Sequence, residues 1–231
     1  MQIIAHRGDN EIYPEQTEIA YVAALEAGAD GVECDIRLTA DRQLVCIHDP
    51  VVNRVSDGSG RVSTLTLAQL RELNFGTDEY PQQVLTFDRF LELVSAFDDR
   101  HIFIETKHPT RHGLAVEKHA EQALRRFGLQ RSPYTHIISF NPSSLQKMRL
   151  VNRGIDRTLL RRPRWPWIQQ FGSPTSRGVA LAAAKLREGL LDAAGYVFTV
   201  NELDDVDWCQ QRGVEYLATD RAATVLAHLG R

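Results

Sequence analysis

The sequence predicts an α/β protein built as a single (β/α)8 barrel. Three observations carry that expectation. Eight short apolar runs, at residues 2–6, 31–37, 102–106, 136–140, 155–160, 179–183, 196–200 and 215–218, alternate with tracts of helical periodicity. Most of the runs end in polar or charged residues, as barrel strands do where they reach the mouth. No linker rich in Pro, Gly or Ser divides the 231 residues, and that length is ordinary for one barrel. No glycine-rich fingerprint follows the first run, which argues against an open dinucleotide-binding sheet.

The elements follow in order. Gln2–Ala5 is a buried strand delivering His6-Arg7-Gly8, with Gly8 permitting a sharp exit. Pro14-Glu15-Gln16-Thr17 opens a helix that Gly28 stops. Residues 31–37 return as a strand, and a tight turn leads into Leu44–Asp49 as a hairpin arm. Residues 50–80, rich in Gly, Ser, Thr and Asp around a helical patch at Thr66–Leu73, read as a long insertion of the kind used for lids or binding loops. Helices are expected over Leu85–Phe97, Leu114–Phe127, Pro142–Val151, Lys185–Ala194, Glu202–Arg212 and Ala222–Leu229, each beside its strand. Arg161–Trp167 interleaves arginine with tryptophan between prolines. It reads as a loop covering the barrel's side more readily than as a rim for an anionic or lipid-like group.

Composition narrows the class. With 43% hydrophobic and 25% charged residues the chain is a soluble globular protein, and a net charge of −3 leaves no footprint for nucleic acid. Cys34, Cys46 and Cys209 are scattered and odd in number, which points to a reducing compartment and not to a disulfide framework. No leader pattern and no long apolar run suggest an integral membrane segment, so a cytoplasmic protein is expected, as monomer or homodimer.

The chemistry concentrates on Gly31–Thr39. Alternation puts Glu33 and Asp35 on one face of a strand, roughly 7 Å apart at their Cα atoms. Paired carboxylates repel and are kept for a cation, a shared proton or a surface. A hairpin centred between residues 41 and 42 would set Asp35 opposite His48, with Cβ atoms about 5 Å apart, and a one-residue slip would undo that pairing. At the mouth of a barrel these groups would meet His6, Arg7, Glu105, Lys107, Ser139, Asn201, Asp220 and Asp49. Three carboxylates without tightly spaced cysteine or histidine suit one hard divalent cation, Mg2+ or Ca2+. Two histidines suit acid and base work near neutral pH, and Arg7 with Lys107 suits a phosphate oxygen. The reaction class implied is metal-assisted phosphodiester cleavage.

His6-Arg7-Gly8, Pro14-Glu15-Gln16-Thr17, Glu33-x-Asp35, His48-Asp49, Glu105-x-Lys107 and Thr199-Val200-Asn201 together resemble the glycerophosphodiester phosphodiesterase family, in the family's order and over nearly the whole chain. The resemblance implies a TIM barrel with an insertion after the His-Asp motif. Glu33, Asp35 and Glu105 would hold the metal, His6 and His48 would be the acid/base pair, and Arg7 and Lys107 would grip the phosphate. Glu15, Asp49, Phe198 and Asn201 would support them. The substrate would be a small glycerophosphodiester, such as glycerophosphocholine or glycerophosphoethanolamine, and the products sn-glycerol 3-phosphate and an alcohol. The family route has the glycerol 2-hydroxyl attack phosphorus, with water then opening the cyclic phosphate. Two departures stand out. Gln16 replaces the usual Asn, so its amide acts from one methylene further out, and Phe198 replaces the common Trp, keeping an aromatic wall without the N–H. Both bear on the head group preferred. The competing readings are a lysophospholipase D acting on lipids and a barrel that binds a phosphodiester without cleaving it.

Overall fold

The computed structural model describes residues 1–108, 113–161, 175–186 and 195–231. Among these described residues nine strands and eight α-helices follow one another: β1 (Gln2–His6), α1 (Glu18–Glu26), β2 (Gly31–Leu38), β3 (Leu44–Cys46), α2 (Leu67–Arg71), α3 (Phe87–Val94), β4 (His101–Thr106), α4 (Ala115–Arg126), β5 (Thr135–Ser139), α5 (Pro142–Val151), β6 (Asp156–Arg161), β7 (Ser176–Ala180), α6 (Leu181–Leu186), β8 (Tyr196–Phe198), α7 (Leu203–Gln211), β9 (Tyr216–Thr219) and α8 (Ala222–His228). All strands but β3 pair in parallel in the order β1-β9-β8-β7-β6-β5-β4-β2, and β1 pairs with β2 to close the barrel. β3 runs antiparallel on the outer end of β2.

Alternation along the strands builds two cores. Outward residues such as Ile3, Val32, Cys34, Ile102, Ile104, Ile137, Val197 and Leu217 pack under the helices. Inward residues Ile4, Phe103, Ile138, Leu160, Tyr196 and Ala218 fill the barrel. Each large apolar side chain so buried contributes about 1.5–3 kcal/mol. Local signals set the helix starts. Thr17, Thr66, Thr86 and Asn141 accept a backbone N–H from the first turn of α1, α2, α3 and α5, and Pro142 opens α5 where its missing N–H costs nothing. Pro14–Gln16 therefore lies before α1 in a turn, and the helix begins at Glu18.

The stretch between β3 and α3 is folded. Val45, Ile47, Val52, Val62, Leu70, Phe75 and Val84 form a third apolar core that ties it to the hairpin.

Two further expectations are corrected. The hairpin pairs Ile36 with Cys46 and Leu38 with Leu44, so its centre is Asp41 and Asp35 lies across from Ile47, whose N–H donates to the Asp35 carbonyl at 2.9 Å. Thr39 N–H donates to the Gln43 carbonyl at 3.0 Å, and the three residues between them make the turn, with Arg42 in the left-handed region at φ 62°. Arginine gives no sign of that conformation, which a glycine would have announced. The second correction is β7, which spans Ser176–Ala180 instead of 179–183. Leu181-Ala182-Ala183-Ala184 goes into α6, since alanine is the strongest helix former. The remainder of the helix expected to residue 194, and the tryptophans of Arg161–Trp167, lie outside the described residues.

Candidate active site

β1 delivers His6 at its last position and turns at once. Gly8 has φ 86°, and a Cβ there would meet the Ala20 backbone and side chain at 2.7 Å, so only glycine fits. The turn leaves Arg7 over the mouth. Its N–H donates to the Glu33 carboxylate at 3.2 Å, its Nε lies 3.3 Å from Asp35 Oδ2, and its Nη1 donates to Glu15 at 3.3 Å.

Neighbouring strands bring the three acids together. Asp35 on β2 sits beside Glu105 on β4, and Glu33 lies one inward step below Asp35. One carboxylate oxygen from each of Glu33, Asp35 and Glu105 lies within 4.8 Å of the others, and all three residues are at most 7% exposed. Two ionised carboxylates at that separation repel by about 3.5 kcal/mol at an effective dielectric of ~20. The titration behaviour follows. Burial, then Asp35, push Glu33 well above the usual range, and burial and Asp35 push Glu105 up to about 7. Burial raises Asp35 as well, but Lys107 and Arg7 outweigh it and hold Asp35 below the ordinary carboxylate range. The ammonium of Lys107 lies 2.7 Å from Asp35 Oδ1 and 2.8 Å from Glu105 Oε2. Burial works against its charge, yet the two acids keep Lys107 above its ordinary value.

Residues of this kind fit a metal ion. The donors are all carboxylate oxygens, buried and crowded, and two cationic side chains face three acids. Asp35 Oδ1 is buried and has no well-formed hydrogen bond, only the nearby ammonium. Such a set suits a hard cation.

Both histidines carry a carboxylate on Nδ1. His6 Nδ1 is 2.6 Å from Asp220 Oδ1, and its Nε2 lies 4.0 Å from Glu33 Oε2. His48 Nδ1 is 2.7 Å from Asp49 Oδ1. Each Nδ1–H therefore donates outward and leaves Nε2 free to exchange a proton. Burial holds His48 below its ordinary value, with Lys107 and Arg7 acting in the same sense and Asp35 against them. His48 thus lies where Asp35, Lys107 and Arg7 act on its charge, although the hairpin register is one residue from the expected one.

The supporting residues divide by task. Glu15 bridges Arg7 and Arg54, and Arg54 also binds Asp49, which ties the insertion to the mouth. Asn201 donates to Asp220 at 2.7 Å and accepts its N–H at 3.0 Å. Phe198 packs edge-on against Phe140 at 5.6 Å inside the barrel. Gln16 is buried, donates to Asp35 Oδ2 at 2.5 Å, and accepts from Tyr21 at 2.7 Å. Its amide therefore serves Asp35 and not a head group. Asp220 was legible as a mouth residue but not as the partner of His6, because 214 residues separate them. Tyr21 and Asn10, which donates to Asp220 at 2.9 Å, carried no signal in the sequence. An open cleft of about 580 Å³ lined by Arg125, Arg131 and Arg153 lies near the other end of the barrel and contains none of these residues.

A closed parallel barrel whose catalytic-type groups gather at the C-terminal ends of its strands defines a (β/α)8-barrel enzyme. Which barrel enzyme is settled by comparison. The model of the glycerophosphoryl diester phosphodiesterase family matches residues 6–224, and the chain belongs to that family. The Mycobacterium tuberculosis protein named "Probable glycerophosphodiester phosphodiesterase 1" is 36% identical over 254 residues, covering 98% of this chain and 92% of its own length. Among solved structures, an Oleispira antarctica phosphodiesterase in complex with the product sn-glycerol-3-phosphate superposes with a TM-score of 0.90 at 20% identity, over 100% of this chain and 97% of that one. A glycerophosphodiester phosphodiesterase of Agrobacterium tumefaciens gives 0.80 at 24% identity, over 98% and 99%. Among the described residues no helix is long and apolar enough to cross a membrane.

Proposed function

We propose that this protein hydrolyses small glycerophosphodiesters, such as glycerophosphocholine or glycerophosphoethanolamine, to sn-glycerol 3-phosphate and the free alcohol. The observation that carries the reading is the meeting of Glu33, Asp35 and Glu105 within 4.8 Å, beside two histidines whose Nδ1 atoms rest on carboxylates. Glu33, Asp35 and Glu105 would hold one divalent cation, Mg2+ or Ca2+, which when bound supplies positive charge to the phosphate oxygens.

The chain's own groups do the rest. Arg7 and Lys107 orient the phosphate and balance its charge. His6 and His48 form the acid/base pair: one removes at Nε2 the proton of the attacking glycerol 2-hydroxyl while the other protonates the departing alkoxide, and the pair then exchanges roles as water adds to phosphorus and the P–O2 bond of the cyclic phosphate breaks. Asp220 and Asp49 keep both rings in the tautomer that exposes Nε2. Glu15, Asn201 and Phe198 support the site at one remove. Residues 1–231 are read as one domain, and the three free, buried cysteines support a reducing, cytoplasmic setting.

The test is the release of sn-glycerol 3-phosphate from a panel of glycerophosphodiesters, with the chelator-stripped protein supplied with each divalent ion in turn. Release restored by Mg2+ or Ca2+ is expected. Full turnover in EDTA would remove the cation from the scheme, and tight binding of glycerophosphocholine without cleavage would make the barrel a binding module.

A further inference from the structure

Arg37 follows Glu33 and Asp35 on the inward face of β2, one step nearer the mouth. Burial works against its charge, and Asp35, Glu105 and Asp49 act to support it. A guanidinium so placed would be expected to pair with a carboxylate or wait for a phosphate. Instead its Nε and Nη2 both donate to a single neutral acceptor, the backbone carbonyl of His48, at 3.0 and 2.6 Å.

The reason lies in the hairpin. The β2–β3 ladder ends at Ile36–Cys46, with one further bond from the Ile47 N–H to Asp35. His48 is the first residue beyond it, so its carbonyl gains no ladder partner. The fork of Arg37 replaces that partner with two donors and fixes the peptide plane from which the His48 side chain departs. Asp49 then fixes the ring through Nδ1 at 2.7 Å. The imidazole is restrained at both ends, by Arg37 through its backbone and by Asp49 through its ring.

We propose that Arg37 is a positioning residue for His48, acting through the His48 carbonyl and not on the substrate. The inference rests on the acid/base reading of His48 given above. A misplaced proton-transfer group slows the chemical step while leaving substrate binding intact. A phosphate-gripping arginine would instead chiefly raise KM.

The experiment measures kcat and KM for glycerophosphocholine in Arg37→Met, Arg37→Lys, His48→Ala and the Arg37→Met/His48→Ala double variant, with thermal melting to follow folding. Expected are a kcat about tenfold or more lower in Arg37→Met with KM within about twofold, and partial recovery in Arg37→Lys, which keeps one donor nitrogen in place of the two-nitrogen fork. In the His48→Ala background Arg37→Met should add less than about twofold, because the group it positions is gone. If Arg37→Met is too unstable to assay, Arg37→Lys in both backgrounds carries the same comparison. An unchanged kcat, a rise in KM alone, or a full additional loss in the His48→Ala background overturns the inference. If His48→Ala itself keeps full turnover, the reading of His48 falls and the role of Arg37 falls with it. If His48→Ala is crippled while Arg37→Met is not, the inference alone fails.

Discussion

His6 Nδ1 lies 2.6 Å from Asp220 Oδ1, which joins the first strand of the barrel to the segment after the last. Closure of the sheet between β1 and β9 makes that contact possible. Asp220 is held in turn by Asn10 at 2.9 Å and Asn201 at 2.7 Å. Burial alone would raise its pKa, but the hydrogen bonds from His6, Asn10 and Asn201 outweigh burial and keep Asp220 ionised far below the usual range.

Asp220→Asn tests that dyad. The amide has the same shape but offers a donor where His6 needs an acceptor, which favours the tautomer with Nδ1 unprotonated. The proposed proton transfer at Nε2 is then lost. Turnover should fall by about 10²-fold or more with KM little changed, a loss comparable to that expected of His6→Ala or His48→Ala. Steady-state kinetics on glycerophosphocholine checks it, and near-normal kcat would show that the tautomer is set elsewhere.

The eightfold alternation of apolar runs with helical tracts and the polar strand ends are enough to anticipate the barrel and its mouth, because hydrophobic period and strand polarity are local properties. What the sequence hid has physical causes too. Arg42 adopts a left-handed conformation without a glycine to announce it, so the sequence alone points to a register one residue from the observed one. Arg37 fastens the backbone of His48 beyond the hairpin ladder, a side-chain contact that no period encodes. Asp220 and Gln16 gain their tasks only when distant strands close against each other.

Gln16→Ala should loosen Asp35. It removes the 2.5 Å bond to Asp35 and leaves the hydroxyl of Tyr21 without the amide it donates to. A buried hydrogen-bonding loss costs about 1–3 kcal/mol of stability. Partners of metal-ligating groups are worth about 10–100-fold in metal affinity or activity. Denaturant midpoints give the first effect, and metal titration of the chelator-stripped variant gives the second. Unchanged affinity would separate Gln16 from the carboxylate cluster.

The insertion core makes a stability prediction. Leu70 is fully buried among Val45, Ile47, Val52, Val62, Phe75 and Val84. Leu70→Ala should cost about 2–5 kcal/mol if the insertion unfolds with the barrel. The same loss would release Arg54 from Glu15 and Asp49 if the insertion opens by itself. Urea denaturation read by tryptophan fluorescence and by activity tells the two apart, since only independent opening lets activity fall first.

The floor of the barrel holds a buried relay that contributes to the loss of stability in mild acid. Asp156 Oδ2 accepts from His136 Nδ1 at 2.9 Å, so His136 presents Nε2 as an acceptor, and His101 Nδ1 donates to it at 2.9 Å. Phe103 stacks on His136 at 4.3 Å, and Tyr134 and Tyr216 meet the His101 ring edge-on. Burial, then the neighbouring His136, push His101 from the usual 6.5 down to about 4, against a smaller opposing pull from Asp30. The unfolded chain therefore takes up the proton first as pH falls. This contribution to stability is fully present above about pH 6.5 and is lost progressively as pH drops toward 4. His101→Asn removes the titrating ring and should flatten the fall in urea midpoint over that window, while leaving the midpoint's further decline at lower pH, where carboxylates such as Asp156 become protonated. An unchanged slope between pH 6.5 and 4 would mean that His101 titrates alike in the folded and unfolded chain, and that the relay at the barrel floor does not exclude a proton.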